Sequence, residues 1–138
     1  MKKLLLVIVL FALFSGCANE DPQIDTELIK IEITYSDSAN ITYDVVNNSK
    51  DMIEFGSEYA IEYYDGGNWV PLEEKTETFF IMIAYALNSG EKMNFSYDMS
   101  GRYGELSGGK YRIFKGINIL NEDGIICGKQ RIYGEFEV

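Results

Sequence analysis

The chain has 138 residues, with 12 basic and 22 acidic side chains and a formal net charge of −10 at pH 7. Such an acidic chain argues against binding to nucleic acid or to anionic lipid headgroups, because both require a positive patch. The chain contains no histidine, which excludes histidine-based catalytic triads and most catalytic zinc sites.

The N-terminal segment has the layout of a secretory signal. Two lysines follow Met1, and residues 4–14 form an apolar run that is shorter than the roughly 20 residues needed to span a bilayer. The next residues, Phe14-Ser15-Gly16-Cys17, resemble the lipobox of bacterial lipoproteins, where the cysteine thiol receives a diacylglycerol and the chain is cut before it. This resemblance implies a lipid on Cys17 and an extracytoplasmic, lipid-anchored position in the bacterial cell envelope. The alternatives are an ordinary signal cut after Gly16 or Ala18, or an uncleaved anchor.

Removal of the signal (1–16) would leave a lipidated, polar spacer (17–27) and one domain (28–138). This mature chain carries 10 basic against 22 acidic side chains, so its net charge is −12. With Cys17 assigned to lipid, Cys127 has no intramolecular disulfide partner. We expect Cys127 to be a small buried hydrophobic residue. The covalent lipid is the only cofactor that the sequence indicates.

The first half of the domain alternates apolar and polar residues, which predicts half-buried strands at 28–35 and 41–45. Residues 51–56 are interpreted as a loop or short crossover. Strands at 59–64 and 69–72 enclose Asp65-Gly66-Gly67-Asn68, a composition typical of a tight hairpin turn.

The second half contains one ambiguous segment, 79–87, which has nine apolar residues without alternation. It fits a strand buried on both faces, a short helix between sheets, or a patch that contacts a partner, and we expect a buried connection. Further strands are predicted at 93–99, 110–115, 125–127 and 130–138. Seven or eight short strands without helical periodicity predict an all-β, antiparallel sandwich.

Three blocks, at 55–62, 67–71 and 103–115, resemble bacterial immunoglobulin-like domains of secreted and membrane-attached proteins. The most specific is the third, in which Leu106 and a turn precede Tyr111-Arg112; Gly108-Gly109 replace the usual Pro-Gly of this turn. The resemblance implies an immunoglobulin-like β-sandwich in an extracellular setting, with no catalytic residues to transfer. It also implies structural roles for Leu106, Gly109 and Tyr111, the last as a tyrosine-corner residue whose hydroxyl bonds to backbone upstream.

The candidate binding residues are aromatic or cationic side chains that the strand pattern does not commit to the core. Trp69 is expected in the core and otherwise on a ligand face, whereas Arg112 lies on the opposite face from Tyr111 and is expected to pair with a glutamate. Tyr64 and Tyr85 need not point inward, and the same holds for Tyr103 and Tyr133. The acidic pairs Glu73/Glu74 and Glu122/Asp123 match no calcium loop and are interpreted as solvated turns.

The sequence therefore predicts a non-enzymatic, lipid-anchored module for binding or assembly, with no catalytic residues and no metal site. Its expected partners are the membrane, through the lipid, and an envelope protein or glycan, but not nucleic acid. Two alternatives remain open. One is an inhibitor or regulator that acts on a neighbouring envelope protein through segment 79–87, and the other is a lipid-anchored enzyme acting on glycans.

Overall fold

A computed structural model describes residues 28–138. The predicted signal, Cys17 and the spacer fall outside the described residues. The described part holds one short helix, α1, and nine strands, β1 to β9. In chain order the elements are β1 (Ile29–Ser36), β2 (Asn40–Asn47), β3 (Met52–Gly56), β4 (Ala60–Tyr64), β5 (Trp69–Pro71), β6 (Ala84–Leu87), β7 (Lys92–Asp98), α1 (Ser100–Tyr103), β8 (Lys110–Leu120) and β9 (Ile126–Glu137).

The strands form two antiparallel sheets that pack face to face. The smaller sheet has the order β1-β2-β7, and the larger one contains β3, β4, β5, β6, β8 and β9. Their inner faces supply one core of alternating apolar residues, with Ile29, Ile41 and Val45 from the smaller sheet and Ile61 and Ile113 from the larger. The predicted all-β immunoglobulin-like sandwich is confirmed.

Strand β8 organises the larger sheet. It pairs with β9 along its whole length, from Lys110 opposite Glu137 to Leu120 opposite Ile126. Because a strand has only two edges, β3 and β4 share the other edge of β8. Strand β4 pairs with residues 111–114 and β3 with residues 118–120. Residues 115–117 therefore face a notch between β3 and β4.

The hairpin between β4 and β5 is confirmed. The amide of Asp65 donates to the Asn68 carbonyl at 3.1 Å, and Asp65 Oδ1 accepts hydrogen bonds from the amides of Gly67 and Asn68. These backbone hydrogen bonds hold the pKa of Asp65 below its usual value. Gly66 has a φ of 100°, a conformation that side chains with a Cβ rarely adopt. The turn fixes Tyr64 opposite Trp69.

Two strand predictions are wrong. Residues 52–56 form β3 instead of a loop, because Ile53 and Phe55 are inner-face core residues and the strand pairs with both β6 and β8. The last two predicted strands are one continuous strand, β9, whose pairing with the eleven-residue β8 extends through Gly128.

Two burial predictions are also wrong. Cys127 is exposed, because it lies where the register of β8 and β9 shifts, close to the turn that joins these two strands. Segment 79–87 is not a buried connection. Only its last four residues form a strand, β6, at the edge of the larger sheet, whereas Phe79 is 84% and Ile81 71% exposed and Met82 is fully exposed.

Candidate functional site

The outer face of the larger sheet carries aromatic and basic side chains from four strands. Alternation along β8 directs Tyr111 and Ile113 into the core and Lys110, Arg112 and Phe114 outward. Arg112 lies opposite Glu62 on β4 and Glu135 on β9. The register of these strands therefore brings residues distant in sequence onto one surface.

Seven of these side chains form a continuous stack across the sheet, which we call the aromatic–cation ladder. Its members are Tyr64, Lys110, Trp69, Arg112, Tyr133, Phe114 and Arg131.

The centre of the ladder is the Arg112 guanidinium, whose central carbon lies 4.5 Å from the centroid of the Trp69 ring and 4.2 Å from that of Tyr133. On one side, the Trp69 and Tyr64 rings are 5.2 Å apart, and Lys110 Nζ lies 5.6 Å from each of them. On the other side, the Tyr133 and Phe114 rings are 5.8 Å apart, and the Arg131 guanidinium lies 5.0 Å from the Phe114 ring. A cation within about 6 Å of a ring centroid is attracted by the ring quadrupole.

The charges of the ladder are partly compensated. Arg112 Nε donates to Glu62 Oε2, and Lys110 Nζ lies 3.2 Å from Glu135 Oε2. Within residues 28–138, no carboxylate lies within ion-pair distance of Arg131. Stacking uses the flat faces of a guanidinium and leaves its N–H edge able to donate hydrogen bonds. The surface therefore offers aromatic edges, the Arg131 guanidinium and pre-positioned donors.

The structure brings together three of the four predicted binding residues. Trp69, Tyr64 and Arg112 are neighbours in the ladder, and the cross-strand ion pair expected for Arg112 is present with Glu62. Trp69 is half-buried and lies outside the core cluster. Tyr85 lies apart, on β6, with its ring 5.7 Å from Phe55 in the core.

Two other tyrosines proposed as exposed have different positions. Tyr133 is partly exposed in the ladder, whereas Tyr103 is buried and its hydroxyl accepts a 3.2 Å hydrogen bond from the amide of Ile61. Burial raises the pKa of Tyr103. The interpretation of Tyr103 as an exposed residue is wrong, because α1 directs its ring under β4.

The three residues assigned structural roles lie around the start of β8. Tyr111 Oη donates to the Ser107 carbonyl at 2.7 Å, upstream in the chain. Gly109 exchanges two backbone hydrogen bonds of 3.0 Å with Val138, which ties the turn to the C-terminal residue. Leu106 is buried, and its amide donates to the Ser38 carbonyl at 2.8 Å.

The notch between β3 and β4 contains two buried cations. Lys115 is only 1% exposed, its Nζ donates to the Glu58 carbonyl at 2.6 Å, and it lies 5.4 Å from the Phe95 ring. Burial lowers the pKa of Lys115 to about 8. Arg102 donates to the Tyr59 carbonyl and pairs with Glu74. Both cations are held by internal partners, so the notch is a structural feature of the sandwich.

Sequence reasoning did not single out three ladder members, Lys110, Phe114 and Arg131, and it did not place Tyr133 beside Arg112. The signal was present in the alternation of β8 and β9, which places their outward residues on one face. The missing information was the register, because a shift of one residue would have sent these side chains to the core.

Several kinds of site are absent from the described part of the chain. Between Leu28 and Val138 there is no cluster of three or more potential metal ligands. Glu74, from one of the acidic pairs, is paired with Arg102. The same residues include no helix long and apolar enough to cross a membrane.

The chain matches a family model over most of its length. The family described as "Bacterial Ig-like domain" matches residues 24–137. The chain belongs to this family. No curated protein and no solved structure matches the chain. An Ig-like domain of this kind fits a role as a binding or assembly module.

Proposed function

We propose that this Ig-like domain is a non-enzymatic binding module, held in the bacterial cell envelope by a lipid on Cys17, and that it binds an envelope protein through the aromatic–cation ladder. The observation that carries the proposal is the ladder itself, with Arg112 stacked between Trp69 and Tyr133. Domains of this family are typically non-enzymatic binding modules.

The composition of the ladder favours a protein partner. Trp, Tyr and Arg are the residue types most enriched at the energetic centres of protein interfaces. Here they stand on paired strands, and stacking already restricts their rotamers, so binding would cost little side-chain entropy. The ring faces of Trp69 and Tyr133 are occupied by Arg112, which leaves fewer free faces for stacking against sugar rings.

The charge of the surface supports the same partner class. Lys110, Arg112 and Arg131 are interspersed with Glu62 and Glu135, so this face is close to neutral on a chain whose net charge is −10. Near-neutral, mixed-charge surfaces can be approached by a protein without strong repulsion, and complementary charges then set the orientation.

The binding proposal is tested by crosslinking on intact cells followed by mass spectrometry of the captured proteins. Tyr133→Ala removes one side of the Arg112 stack, and we expect at least a tenfold loss of the captured partner. Tyr35→Ala is the matched control, because Tyr35 is an exposed tyrosine of the smaller sheet. Equal capture by both variants, or recovery of wall glycan without any protein, would contradict the proposal.

The anchor is tested separately by labelling cells with palmitate. We expect Cys17→Ala to lose the label and to leave the membrane fraction, since a diacyl anchor contributes about 0.8 kcal/mol per buried CH₂ group. Cys127→Ala, which removes an exposed thiol within the domain, serves as the control and should keep the label. Full membrane retention of Cys17→Ala would disprove the lipid anchor without affecting the binding proposal.

A further inference from the structure

The turn between β8 and β9 carries exposed apolar side chains at the end of the domain that contains Leu28. We call residues 121–127 the β8–β9 tip. Ile125 is 62% and Ile126 47% exposed in this tip. In the described part of the chain, the exposed large aliphatic side chains lie in the tip, at Leu28 or in segment 79–83. The tip and Leu28 therefore make up a second group of exposed aliphatic side chains.

The shape of the tip is fixed by hydrogen bonds. The Asn121 amide donates to the Ile125 carbonyl at 2.9 Å, and Asn121 Oδ1 accepts hydrogen bonds from the amides of Asp123 and Ile125. Directly beside this closed turn, Ile126 pairs with Leu120 across the two strands. The exposure of Ile125 and Ile126 is therefore a property of the folded domain.

The tip extends past Leu28. Strands β1 and β9 lie side by side and run in the same direction, since Ile29 lines one cavity with residues 130–133 and a Cβ on Gly134 would lie 2.6 Å from Ile31 Cγ2. Leu28 is therefore level with the start of this range of β9. The isoleucines of the tip come about four to five residues earlier in the chain, which places them roughly 15 Å past Leu28 at the usual rise of a strand.

The lipid anchor that we propose brings this end of the domain to the membrane. Cys17 comes eleven residues before Leu28. Even when fully extended, a chain of that length spans at most about 40 Å. Leu28 can therefore lie no farther than this from the lipid, and the tip extends past Leu28 at the same end. The bilayer is the surface that the anchor brings within reach of the tip.

The two ends of the domain also differ in charge. The strand register places four stretches at the Leu28 end, namely residues 28–32, 44–53, 86–94 and 116–131. These stretches contain five basic and six acidic side chains, a net charge of −1, whereas the remaining described residues contain five basic and twelve acidic ones, a net charge of −7. Because anionic headgroups repel an acidic surface, charge favours the Leu28 end for contact with lipid.

We propose that Ile125 and Ile126 enter the boundary between the headgroups and the acyl chains of the membrane that holds the Cys17 lipid, so that the domain stands on its Leu28 end. This inference rests on the lipid anchor of the proposed function. Because the anchor already holds the chain at the surface, a small apolar area is enough to favour the contact. Glu122 and Asp123, in the same turn, stay with the headgroups and water, since burial of an ionised carboxylate among acyl chains is costly. Insertion is therefore limited to the boundary.

The test uses the full lipidated chain, purified and reconstituted in phosphatidylcholine vesicles that contain a nitroxide-labelled lipid. With Cys17 carrying the lipid, the exposed thiol of Cys127 takes a fluorescent probe beside the two isoleucines. We expect the nitroxide to quench this probe at least twofold more than the same probe at position 35, placed by Tyr35→Cys in a chain that also carries Cys127→Ser. Tyr35 is exposed and lies near the end of β1 that is distant from Leu28.

The mass of the purified chain separates the two proposals. Equal quenching at both positions, in a chain whose mass includes the lipid, would overturn the tip contact and leave the anchor intact. A mass without lipid would refute the anchor, and the tip contact with it. The vesicles contain no other protein, so the quenching reports on lipid alone and not on the partner of the ladder.

A substitution in the tip tests the insertion itself. Ile125→Asp places a charge at the proposed contact, and we expect it to lower the quenching of the Cys127 probe at least twofold. Ile81→Asp is the matched control, because it makes the same change at an isoleucine that is 71% exposed in segment 79–87. The Ile81→Asp chain should keep the quenching of the parent chain. Quenching that Ile125→Asp leaves unchanged would refute the insertion of the isoleucines.

Discussion

Lys115→Met is expected to change how the stability of the domain depends on pH. Lys115 is buried at the notch, where burial lowers its pKa from 10.5 to about 8. The native state therefore releases the Lys115 ammonium proton at a lower pH than the unfolded state does. The free energy of unfolding rises with pH between the two pKa values, and the destabilisation by the buried ammonium is fully present below pH 8. At pH 7 the buried ammonium costs about 3 kcal/mol relative to the unfolded chain.

Methionine keeps a similar length and carries no charge, so the pH-dependent contribution disappears. The lost hydrogen bond to the Glu58 carbonyl costs roughly 1–3 kcal/mol at every pH, because it leaves a buried acceptor without a partner. Between pH 7 and pH 9, wild-type stability should gain about 1.3 kcal/mol over Lys115→Met. Contributions from the tyrosines, several of which have raised pKa values, are common to both chains and cancel.

The assay is urea denaturation of the purified chain at pH 7, 8 and 9, with the free energy of unfolding compared between wild type and variant. Lys50→Met, which removes one exposed lysine, controls for the change in total charge. A difference between wild type and Lys115→Met that stays constant from pH 7 to pH 9 would refute the reasoning. It would mean that the Lys115 ammonium is as well solvated in the native state as in the unfolded chain.

Two further substitutions test contacts between the sheets by the same urea assay. Asn47→Ala should lower the free energy of unfolding by about 3 kcal/mol. The fully buried side-chain amide of Asn47 on β2 donates to the Leu87 carbonyl on β6, and the substitution would leave that carbonyl without a partner. A loss below about 1 kcal/mol would show that a water molecule replaces the amide. Gly134→Ala should lower the free energy of unfolding by about 1–3 kcal/mol, since the added Cβ would lie 2.6 Å from Ile31 Cγ2. Gly116→Ala is the control: its Cβ would meet open space, so the loss should be less than about 1 kcal/mol. Equal effects at the two glycines would contradict close packing of the two sheets at β9.

The sequence predicted the fold class because local signals agreed along most of the chain. Alternation at 29–33 and the Asp65-Gly66-Gly67-Asn68 turn are local features, and both correspond to structure, whereas a shift of register between Ile33 and Tyr35 leaves Tyr35 exposed instead of on the buried face. Strand β3 was missed because its five residues follow a turn-rich stretch, and its pairing partners, β6 and β8, are far away in sequence. The periodicity of a short segment carries no information about strand pairing with residues far away in the sequence.

Segment 79–87 shows a different limit. Composition alone favours burial for nine consecutive apolar residues, yet only Phe80, Tyr85 and Leu87 turn toward the core. The outward conformation depends on the hydrogen bond that the Ser57 hydroxyl donates to the Ile81 carbonyl, which no periodicity in the segment itself indicates. An apolar run without alternation fits a buried segment and an exposed interaction site equally well.

The sequence predicted three of the seven side chains of the candidate site but not how they are arranged. Tyr64, Trp69 and Arg112 could be singled out because each is an aromatic or cationic residue next to a turn or a strand start. That they stack together depends on the pairing of Tyr64 with Trp69 and on the register between β4 and β8. Arg131 could not be connected to them, because its position beside Phe114 depends on the register between β8 and β9.

The position of the ladder relative to the N-terminal end of the domain constrains where its partner lies. Leu28 is at the end of the sandwich that contains Asn48 and Asp51, next to Met52 and Leu120, since the Asn48 amide donates to the Leu28 carbonyl and Met52 pairs with Leu120. Lys110, at the opposite end of the eleven-residue β8, is about 33 Å from Leu120 at the usual rise of a strand.

With the lipid at Cys17 that we propose, the chain would leave the membrane and enter the domain at Leu28. The end of the ladder formed by Tyr64, Trp69 and Lys110 would then be the end farther from the anchor along β8. A partner that contacts all seven side chains must therefore reach a part of the domain roughly 30 Å from its Leu28 end. This geometry favours the extracytoplasmic part of an envelope protein over the lipid surface as the occupant of the ladder.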